Sequence, residues 1–316
     1  MSRSDIAGRP VHLVVTCANR KTRIVPDHLR LGSLHDQLPG KRFAAWAHRL
    51  STCNTERVAA IDLYAGEHWQ IARRLPASLQ RAAKLWVCSA GYGLITADAP
   101  IAPYAATFTA GEADAAGSSS SAMRDWWSRL NRWNGPDIHA PRSFTTLARQ
   151  NPHAAVIAVL SEAYLRACAD DLRQAARCLA SREQLAIIGP PGRCSGIDDL
   201  IVPVTATLRP VVGGSMQALN VRAAAHLLTA AADDLSHTNL RKLAEQATAT
   251  APPDPSRRPN GQKLSDKALR DFIRGQLTNG PVTATSLLRQ LRQSGQSCEQ
   301  SRFHALFADV AAKVTR

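Results

Sequence analysis

Four short apolar runs rich in β-branched residues recur along the chain. They lie at residues 11–16, 84–89, 154–160 and 184–188. Runs of this kind are typical of strands that are buried on both faces of a parallel sheet. Helical patterns fill the intervening and following sequence, at residues 42–50, 68–79, 123–133, 162–180 and 216–232. Because strands and helices alternate, we predict right-handed βαβ units around a four-stranded parallel sheet.

The pattern changes near residue 247. Residues 247–261 are rich in proline and carry no large apolar side chain, which is typical of a linker. Three short helical patterns follow, at residues 265–277, 283–293 and 297–312. A Ser-Gly break between the last two predicts a helix-turn-helix or winged-helix-like module. We therefore expect an α/β domain at 1–246, a linker at 247–261 and a helical module at 262–316.

The chain is strongly basic. Its 316 residues carry 39 Lys and Arg against 25 Asp and Glu, which gives a formal net charge of +14. The last 66 residues hold a net charge of +6, while the first 250 hold +8. Such an excess indicates a polyanionic partner, and its density at the C-terminal end favours a nucleic acid bound by the helical module.

Several classes of protein are disfavoured by what the sequence lacks. No run approaches 18 apolar residues, and the first ten residues contain no apolar segment, so we expect neither a membrane span nor a signal peptide. The seven cysteines include no Cys-x-x-Cys pair, which favours reduced thiols in the cytoplasm and no metal site. Neither a Gly-x-x-x-x-Gly-Lys loop nor a Gly-x-Gly-x-x-Gly fingerprint occurs, so no nucleotide cofactor is expected.

Chemically useful residues follow the predicted strands, at the edge where ligands bind in open parallel sheets. Cys17-Ala18-Asn19-Arg20-Lys21 follows the first strand, and Ser89-Ala90-Gly91-Tyr92-Gly93-Leu94 closes the second. Asp62-Leu63-Tyr64-Ala65-Gly66 lies between them in the chain and leads towards Trp69, and Ile101-Ala102-Pro103-Tyr104 comes last. We expect these segments to form one small pocket.

Together, these motifs resemble a small group of bacterial and archaeal proteins. The resemblance rests on Cys-x-x-Arg-Lys, Leu-Tyr-x-Gly, Ser-Ala-x-Tyr-Gly-Leu and Ile-x-Pro-Tyr, which lie between residues 11 and 104. That group is related to the accessory domain of archaeosine-type tRNA-modifying enzymes and, through it, to the uracil-DNA-glycosylase-like α/β fold. With its basic C-terminal module, the chain also resembles anti-phage DNA glycosylases, which excise hypermodified, glucosylated cytosine from phage DNA.

The resemblance implies an antiviral DNA glycosylase that hydrolyses the N-glycosidic bond of a modified cytosine and leaves an abasic site. An oxocarbenium-like transition state needs a group that orients water and stabilises the cation. Asn19 stands where the resembled fold has its water-activating residue, and Asp62 is the nearest carboxylate in the motifs. An amide positions water but accepts no proton, so the catalytic base stays open. No lysine is well placed for Schiff-base chemistry, which implies a monofunctional enzyme.

The remaining candidate residues divide by role. A flipped base needs a pocket of aromatic and hydrogen-bonding groups, for which the candidates are Cys17, Tyr64, Trp69, Ser89, Tyr92 and Tyr104. The candidates for phosphate contacts are Arg20, Lys21, Gly213, Gly214, Ser215, Arg289, Arg292, Arg302 and His304. The expected partner is double-stranded phage DNA, with no obligate protein partner and no membrane contact.

Other interpretations stay open at this point. The same pocket suits a nucleoside or tRNA-base ribosyltransferase that acts on a free nucleoside or on RNA. An α/β domain with a helix-turn-helix module also suits a transcriptional regulator that senses a ligand. Asn19 and Asp62 are also residue types that cap helices, and three tryptophans in the helical pattern at 123–133 favour core packing.

Overall fold

The chain forms two compact units, residues 1–253 and 254–316. The computed structural model describes residues 9–192, 194, 196–253, 262–278 and 282–314. The predicted linker at 247–261 is helical as far as Ala249, and its residues 254–261 lie outside the described residues. Within the described ranges, no helix is long and apolar enough to cross a membrane.

The first unit alternates strands and helices. Its strands are β1 (Val11–Thr16), β2 (Val58–Ala59), β3 (Ala83–Ser89), β4 (Gly93–Thr96), β5 (Pro100–Ile101), β6 (Ala155–Val159), β7 (Leu185–Gly189) and β8 (Ile201–Pro203). Its helices are α1 (Pro39–Thr52), α2 (Ala60–Leu63), α3 (Glu67–Ala72), α4 (Ser120–Arg132), α5 (Phe144–Gln150), α6 (Glu162–Cys178), α7 (Arg209–Val212), α8 (Leu219–Ala231) and α9 (His237–Ala249). Short 3₁₀ turns lie at Asp27–Leu29, Leu31–Leu34, Leu75–Ser78, Arg182–Gln184, Asp198–Leu200, Ala206–Leu208 and Met216–Ala218.

One six-stranded sheet forms the centre of this unit, in the order β4-β3-β1-β6-β7-β8. The four predicted strands are its middle, and each pairs in parallel with its neighbour. The prediction of a purely parallel, four-stranded sheet is wrong at both edges. β4 returns antiparallel to β3, and the three-residue β8 adds in parallel to β7. Both edge strands are too short for their hydrophobic period to reveal them.

β1 is a central strand of the sheet. All six of its residues are buried, between β3 on one side and β6 on the other. Burial of both faces explains why its sequence is apolar without the alternation of a half-exposed strand. Two of its residues are polar, Thr16 and His12, and His12 Nδ1 accepts a hydrogen bond from Trp86 Nε1 at 3.0 Å.

The helix predicted at 68–79 is shorter than its pattern. α3 ends at Ala72, and Leu75–Ser78 forms a 3₁₀ turn that contains Pro76. Proline lacks the backbone N–H and restricts the preceding residue, so an α-helix does not run through it at low cost. The short α3 that results places His68 against the carboxyl end of β1.

The second unit has its own core. It consists of β9 (Gln262–Lys263), α10 (Asp266–Leu277), α11 (Ala284–Gln293), β10 (Gln296–Ser297) and α12 (Gln300–Val314). β9 and β10 pair in parallel, and the helices bury Leu269, Ile273, Leu287, Leu291 and Phe303. The predicted C-terminal helical region is confirmed, with a short strand at the break between its last two helices.

A buried carboxylate ties three helices of the first unit together. Asp171 on α6 accepts hydrogen bonds from Trp127 Nε1 on α4 at 3.0 Å and from Phe144 N on α5 at 2.9 Å. Thr145 donates to the same carboxylate from its N at 2.9 Å and from its Oγ1 at 2.6 Å. The negative charge therefore satisfies free N–H groups at the start of α5. Burial of Trp127 and of Trp126 confirms that these tryptophans pack in the core.

Replacing Asp171 with alanine should destabilise the first unit by about 3 kcal/mol, because buried donors lose their acceptor. Urea unfolding followed by tryptophan fluorescence measures this, since all six tryptophans lie in the first unit. Asp170→Ala is the matched control, because its carboxylate is exposed and pairs with Arg124 and Arg173. A loss below about 1 kcal/mol is expected there. Equal losses in the two variants would contradict the role given to Asp171.

Candidate functional site

The order of the strands defines where a ligand site is expected. From β1 the chain continues to β3 and β4 on one side of β1. It then crosses to the other side, where β6, β7 and β8 extend the sheet in the opposite direction. Such a change of direction leaves a crevice outside the carboxyl ends of the central strands. We call this place the carboxyl edge; it comprises the residues that follow Thr16, Ser89 and Val159.

Three hydroxyl groups form a buried hydrogen-bond network at the carboxyl edge. Ser89 Oγ lies 2.5 Å from Tyr104 Oη, which lies 2.9 Å from Tyr64 Oη. Ser89 Oγ also accepts from the backbone N–H groups of Gly91 and Tyr92, at 3.2 and 2.9 Å. Burial raises the pKa of both Tyr64 and Tyr104 well above the ordinary value, so their phenols stay neutral. The network joins three of the sequence motifs.

Gly91 is required by this packing. A Cβ at residue 91 would lie 2.3 Å from Tyr104 Cε2, which is closer than two carbon atoms approach. The Gly91 carbonyl accepts from Trp46 Nε1 at 2.9 Å, and the Ala90 carbonyl accepts from Trp126 Nε1 at 2.8 Å. The turn between β3 and β4 is therefore fixed by rings from α1 and α4.

The segment after β1 runs beside the segment around Tyr64. Lys21 and Tyr64 form an isolated antiparallel bridge. Lys21 Nζ donates to the carbonyl oxygens of Ala18 and Asn19, at 2.9 and 3.1 Å, and lies 4.7 Å from the centroid of the Tyr104 ring. The structure thus brings together the motifs that the sequence predicts to share one region.

The predicted stacking residues belong to the core. Tyr64, Trp69, Tyr92 and Tyr104 are each at most 2% exposed, and neighbouring rings meet edge to face. Since no face of these rings is open, the prediction that they form a surface for a flipped base is wrong for this structure. Large rings in one small region gain most when they pack on each other and exclude water, with their polar tips hydrogen-bonded.

Asn19, Arg20 and Asp62 lie on the surface of the same region. All three residues are exposed. The Asp62 carboxylate pairs with Arg73 at 3.8 Å. Asn19 and Arg20 are therefore accessible from solvent.

A cavity outside the carboxyl end of β6 contains residues that the sequence predictions missed. Its volume of about 340 Å³ lies within the range of small-ligand sites. The residues around it include Glu162, Arg166, Thr109, Phe108, Met123 and the serines at 118–120. Glu162 and Arg166 form an ion pair at 2.5 Å on the first turns of α6. The sequence signal was a carboxylate in the first helical turn after a buried strand.

Cys17 and Tyr164 connect the end of β1 with this cavity. Cys17 Sγ lies 3.0 Å from Tyr164 Oη. The Tyr164 ring packs edge to face on Phe108, which lines the cavity, with the ring centroids 5.0 Å apart. Burial raises the pKa of Tyr164 well above its ordinary value, so its hydroxyl stays neutral. The carboxyl ends of β1 and β6 therefore share one continuous set of contacts.

The predicted phosphate site at Gly213, Gly214 and Ser215 is occupied by a carboxylate. Glu67 Oε1 accepts from Ser215 N at 3.4 Å and from Arg222 Nε at 2.8 Å. Hydrogen bonds from Ser215 and Arg222 lower the pKa of Glu67, which keeps it anionic. The prediction is wrong because Glu67, on a helix distant in sequence, already supplies the negative charge that a phosphate would bring.

The predicted DNA contacts of the second unit differ in exposure. Arg289 and Arg292 are exposed on α11, although Arg292 also donates to a backbone carbonyl at 3.2 Å. Arg302 is bound to Asp266, with its Nε 2.9 Å from the carboxylate. His304 is half-buried, and its Nε2 is buried with no hydrogen-bond partner among the described residues, so it is poorly placed for the predicted phosphate contact. Arg289 is thus the residue of this group most open to a phosphate.

The chain matches no family model, no curated protein and no solved structure. Its fold defines it as an α/β protein with a mixed, mostly parallel six-stranded sheet and a C-terminal helical region.

His68 is a further polar residue at the carboxyl edge to which the sequence predictions gave no role. Its Nε2 lies 3.0 Å from the Thr16 carbonyl oxygen, which can only accept a hydrogen bond. Nε2 therefore carries the proton, and Nδ1 is the acceptor of this tautomer. Burial lowers the pKa of His68, so the imidazole is neutral near pH 7.

Acidification below about pH 6.5 should destabilise the first unit. Burial lowers the folded-state pKa of His68, so its full contribution to stability exists above the unfolded pKa and is lost as the pH falls. One such group changes the free energy of unfolding by at most about 1.4 kcal/mol per pH unit. Burial lowers the pKa of His12 and His237 in the same direction, so they contribute as well.

Urea unfolding between about pH 5.5 and pH 7.5 measures how stability depends on pH. This range brackets the ordinary histidine pKa. His68→Gln should make the dependence shallower than in the unaltered protein. The control is His226→Gln, at an exposed position on α8. An unchanged slope in His68→Gln would show that this imidazole does not titrate as argued.

Proposed function

We propose that the protein is a DNA glycosylase that removes a modified cytosine, of the glucosylated hydroxymethyl type, from double-stranded phage DNA. The observation that carries the proposal is the cavity at the carboxyl end of β6, which places a carboxylate at the change of strand direction. The same chain holds a basic helical unit suited to DNA phosphates. Water replaces the base at the sugar and leaves an abasic site.

The cavity has the properties that a flipped base requires. An enzyme that acts on a base within a duplex takes it out of the stack into a pocket that stacks on its face and bonds to its edge. Thr109 and the serines at 118–120 supply hydroxyl donors and acceptors, while Phe108 and Met123 are buried beneath the cavity and form its apolar wall. The exposed hydroxyl residues replace the buried tyrosines as the candidates for recognition of the base edge.

Two residues are candidates for the chemistry of bond cleavage. The exposed Asn19 amide supports the positioning of water after β1. We assign the carboxylate role to Glu162 because it lines the cavity. Both carboxylates pair with an arginine, Glu162 with Arg166 and Asp62 with Arg73, so the cavity is what distinguishes them. A carboxylate there stabilises the positive charge that develops on the sugar and accepts a proton from the attacking water.

The activity should appear as nicks in glucosylated phage DNA after treatment with an abasic-site nuclease, whereas plain DNA stays intact. Glu162→Gln should lower the rate at least about 100-fold, since an amide accepts no proton and carries no charge. The matched control is Glu245→Gln, which breaks an ion pair of the same helical spacing with Arg241 on α9 and should keep the rate.

The nicking assay distinguishes the glycosylase activity itself from the roles assigned to Glu162, Asp62 and Asn19. No nicking of either DNA would reject the glycosylase. Activity that survives Glu162→Gln but is lost in Asp62→Ala returns the carboxylate role to Asp62. Loss of base release in Asn19→Ala, with DNA binding retained, supports the water-positioning role of the amide.

Arg289→Ala should weaken the binding of duplex DNA of any sequence, because its exposed guanidinium is available to a phosphate. The slope of log affinity against log salt should fall by about one. Fluorescence anisotropy at several salt concentrations measures both quantities. Arg274→Ala is the control, because this arginine already pairs with Asp271 at 3.1 Å. An unchanged slope in Arg289→Ala would contradict the contact.

A ligand-sensing transcriptional regulator is the second candidate. The burial of Tyr64, Tyr92 and Tyr104 favours it, because none of these rings offers a face to a flipped base. The cavity beside Glu162 and Arg166 can still hold a small molecule. Such a protein binds a defined DNA sequence and releases no base. Sequence-specific binding without abasic sites in the nicking assay would select this function.

A further inference from the structure

A second cavity lies between α4, α5 and the middle of α6, and no step of the proposed reaction uses it. Its volume is about 330 Å³. Its lining includes the hydroxyl groups of Ser128 and Thr146 and three arginines, Arg124, Arg132 and Arg149. We call it the arginine cavity. A concave site with several guanidinium groups is suited to an anion such as a phosphate, which guanidinium groups bind with two parallel hydrogen bonds.

The carboxylates of the arginine cavity already have partners. Asp171 is buried and accepts hydrogen bonds from α4 and α5. Asp170 pairs with Arg124 at 3.7 Å. Arg132 and Arg149 are exposed, and among the described residues no carboxylate lies within ion-pair distance of either. The cavity therefore has two positive charges that no carboxylate of the described chain neutralises.

The arginine cavity continues the cavity that contains Glu162. On α6, the first cavity is lined by residues 162, 163 and 166, and the second by residues 167, 170, 171 and 174. On α4, the corresponding positions are 120 and 123, followed by 124, 127, 128, 131 and 132. Steps of three and four residues keep these positions on one face of each helix. The two cavities are therefore consecutive parts of one groove between α4 and α6.

The spacing along this groove fits a nucleic-acid strand. Glu162 and Asp170 are eight residues apart on α6, which corresponds to about 12 Å along the helix. One strand of duplex DNA carries a phosphate for about every 3.4 Å of its axis. A strand with one base in the cavity beside Glu162 therefore has a phosphate near the arginine cavity about three nucleotides away.

We propose that Arg132 and Arg149 bind a backbone phosphate of the DNA strand, about three nucleotides from the nucleotide whose base enters the cavity beside Glu162. Two guanidinium groups without carboxylate partners, in the groove that also contains Glu162, carry this inference. It rests on the proposed function for its partner, duplex DNA. Phosphate contacts fix the register of a protein on a duplex, so this contact aligns the target nucleotide with the cavity.

Salt-dependent binding of an unmodified duplex tests the contact without any base release. In fluorescence anisotropy with the full chain, Arg132→Ala and Arg149→Ala should each weaken binding at least about three-fold. Each should lower the slope of log affinity against log salt by about one. Arg132→Lys should retain the slope, because it keeps the positive charge. Both arginines are exposed, so their replacement leaves the fold intact.

Arg241→Ala is the matched control for the loss of charge. It removes one positive charge from the first unit, but from a guanidinium group on α9 that pairs with Glu245 at 2.9 Å. Its slope should equal that of the unaltered protein. A slope that falls equally in Arg241→Ala and Arg132→Ala would show an effect of net charge alone and would overturn the site.

Chemical modification locates the contact on the unaltered protein. Phenylglyoxal reacts with accessible guanidinium groups, and mass spectrometry measures the extent of modification at each arginine. Unmodified duplex DNA should suppress the modification of Arg132 and Arg149 and leave that of Arg241 unchanged. Deoxycytidine monophosphate at the same phosphate concentration should suppress neither, because it lacks the neighbouring nucleotides that occupy the groove. Equal suppression by the mononucleotide would mean that the cavity takes a free phosphorylated ligand, and would overturn the proposal.

The phosphate contact and the glycosylase activity fail separately. Unchanged slopes in both alanine variants, or arginines that stay reactive in the presence of DNA, would overturn the contact even where glucosylated DNA is nicked. Suppressed modification of Arg132 and Arg149 without nicking of any DNA would support the contact and reject the glycosylase.

Discussion

The burial of β1 between β3 and β6 is the constraint on which the rest of the structure depends. A strand covered on both faces and paired on both edges has little freedom to shift its register, because a shift of one residue moves every side chain to the opposite face. Thr16 and Cys17 are therefore held at the carboxyl edge, where they meet His68 and Tyr164. His68 and Tyr164 are thus positioned relative to this fixed end.

Water exclusion shapes the chemistry at that edge. The hydroxyls of Ser89, Tyr64 and Tyr104 are buried and bonded to one another, so they act as a rigid support rather than as reagents. Asn19 on the surface and Glu162 at the cavity keep contact with solvent. Polar groups that are already fixed in place need little reorganisation when a reaction occurs next to them.

The sequence predicted the central strands well and the site only in part. Long apolar runs such as the one at 11–16 leave few alternatives to a buried strand. The four-residue β4 and three-residue β8 carry too little pattern to be found. In the site, the motifs were correctly grouped, but the exposure of their members was not: the tyrosines pack inwards, and Glu67 takes the place predicted for a phosphate.

The sequence by itself determined the α/β class, the basic C-terminal helical region and the segments that meet after β1 and β3. These follow from local periodicity, composition and the direction of parallel strands, which nearby residues encode. Only the tertiary structure decided which of those residues face solvent, which carboxylate lines the cavity and which lysine is half-buried beside the Tyr64 and Tyr104 rings. Burial and pairing depend on partners distant in the chain, such as Tyr164 for Cys17, and no local pattern records them.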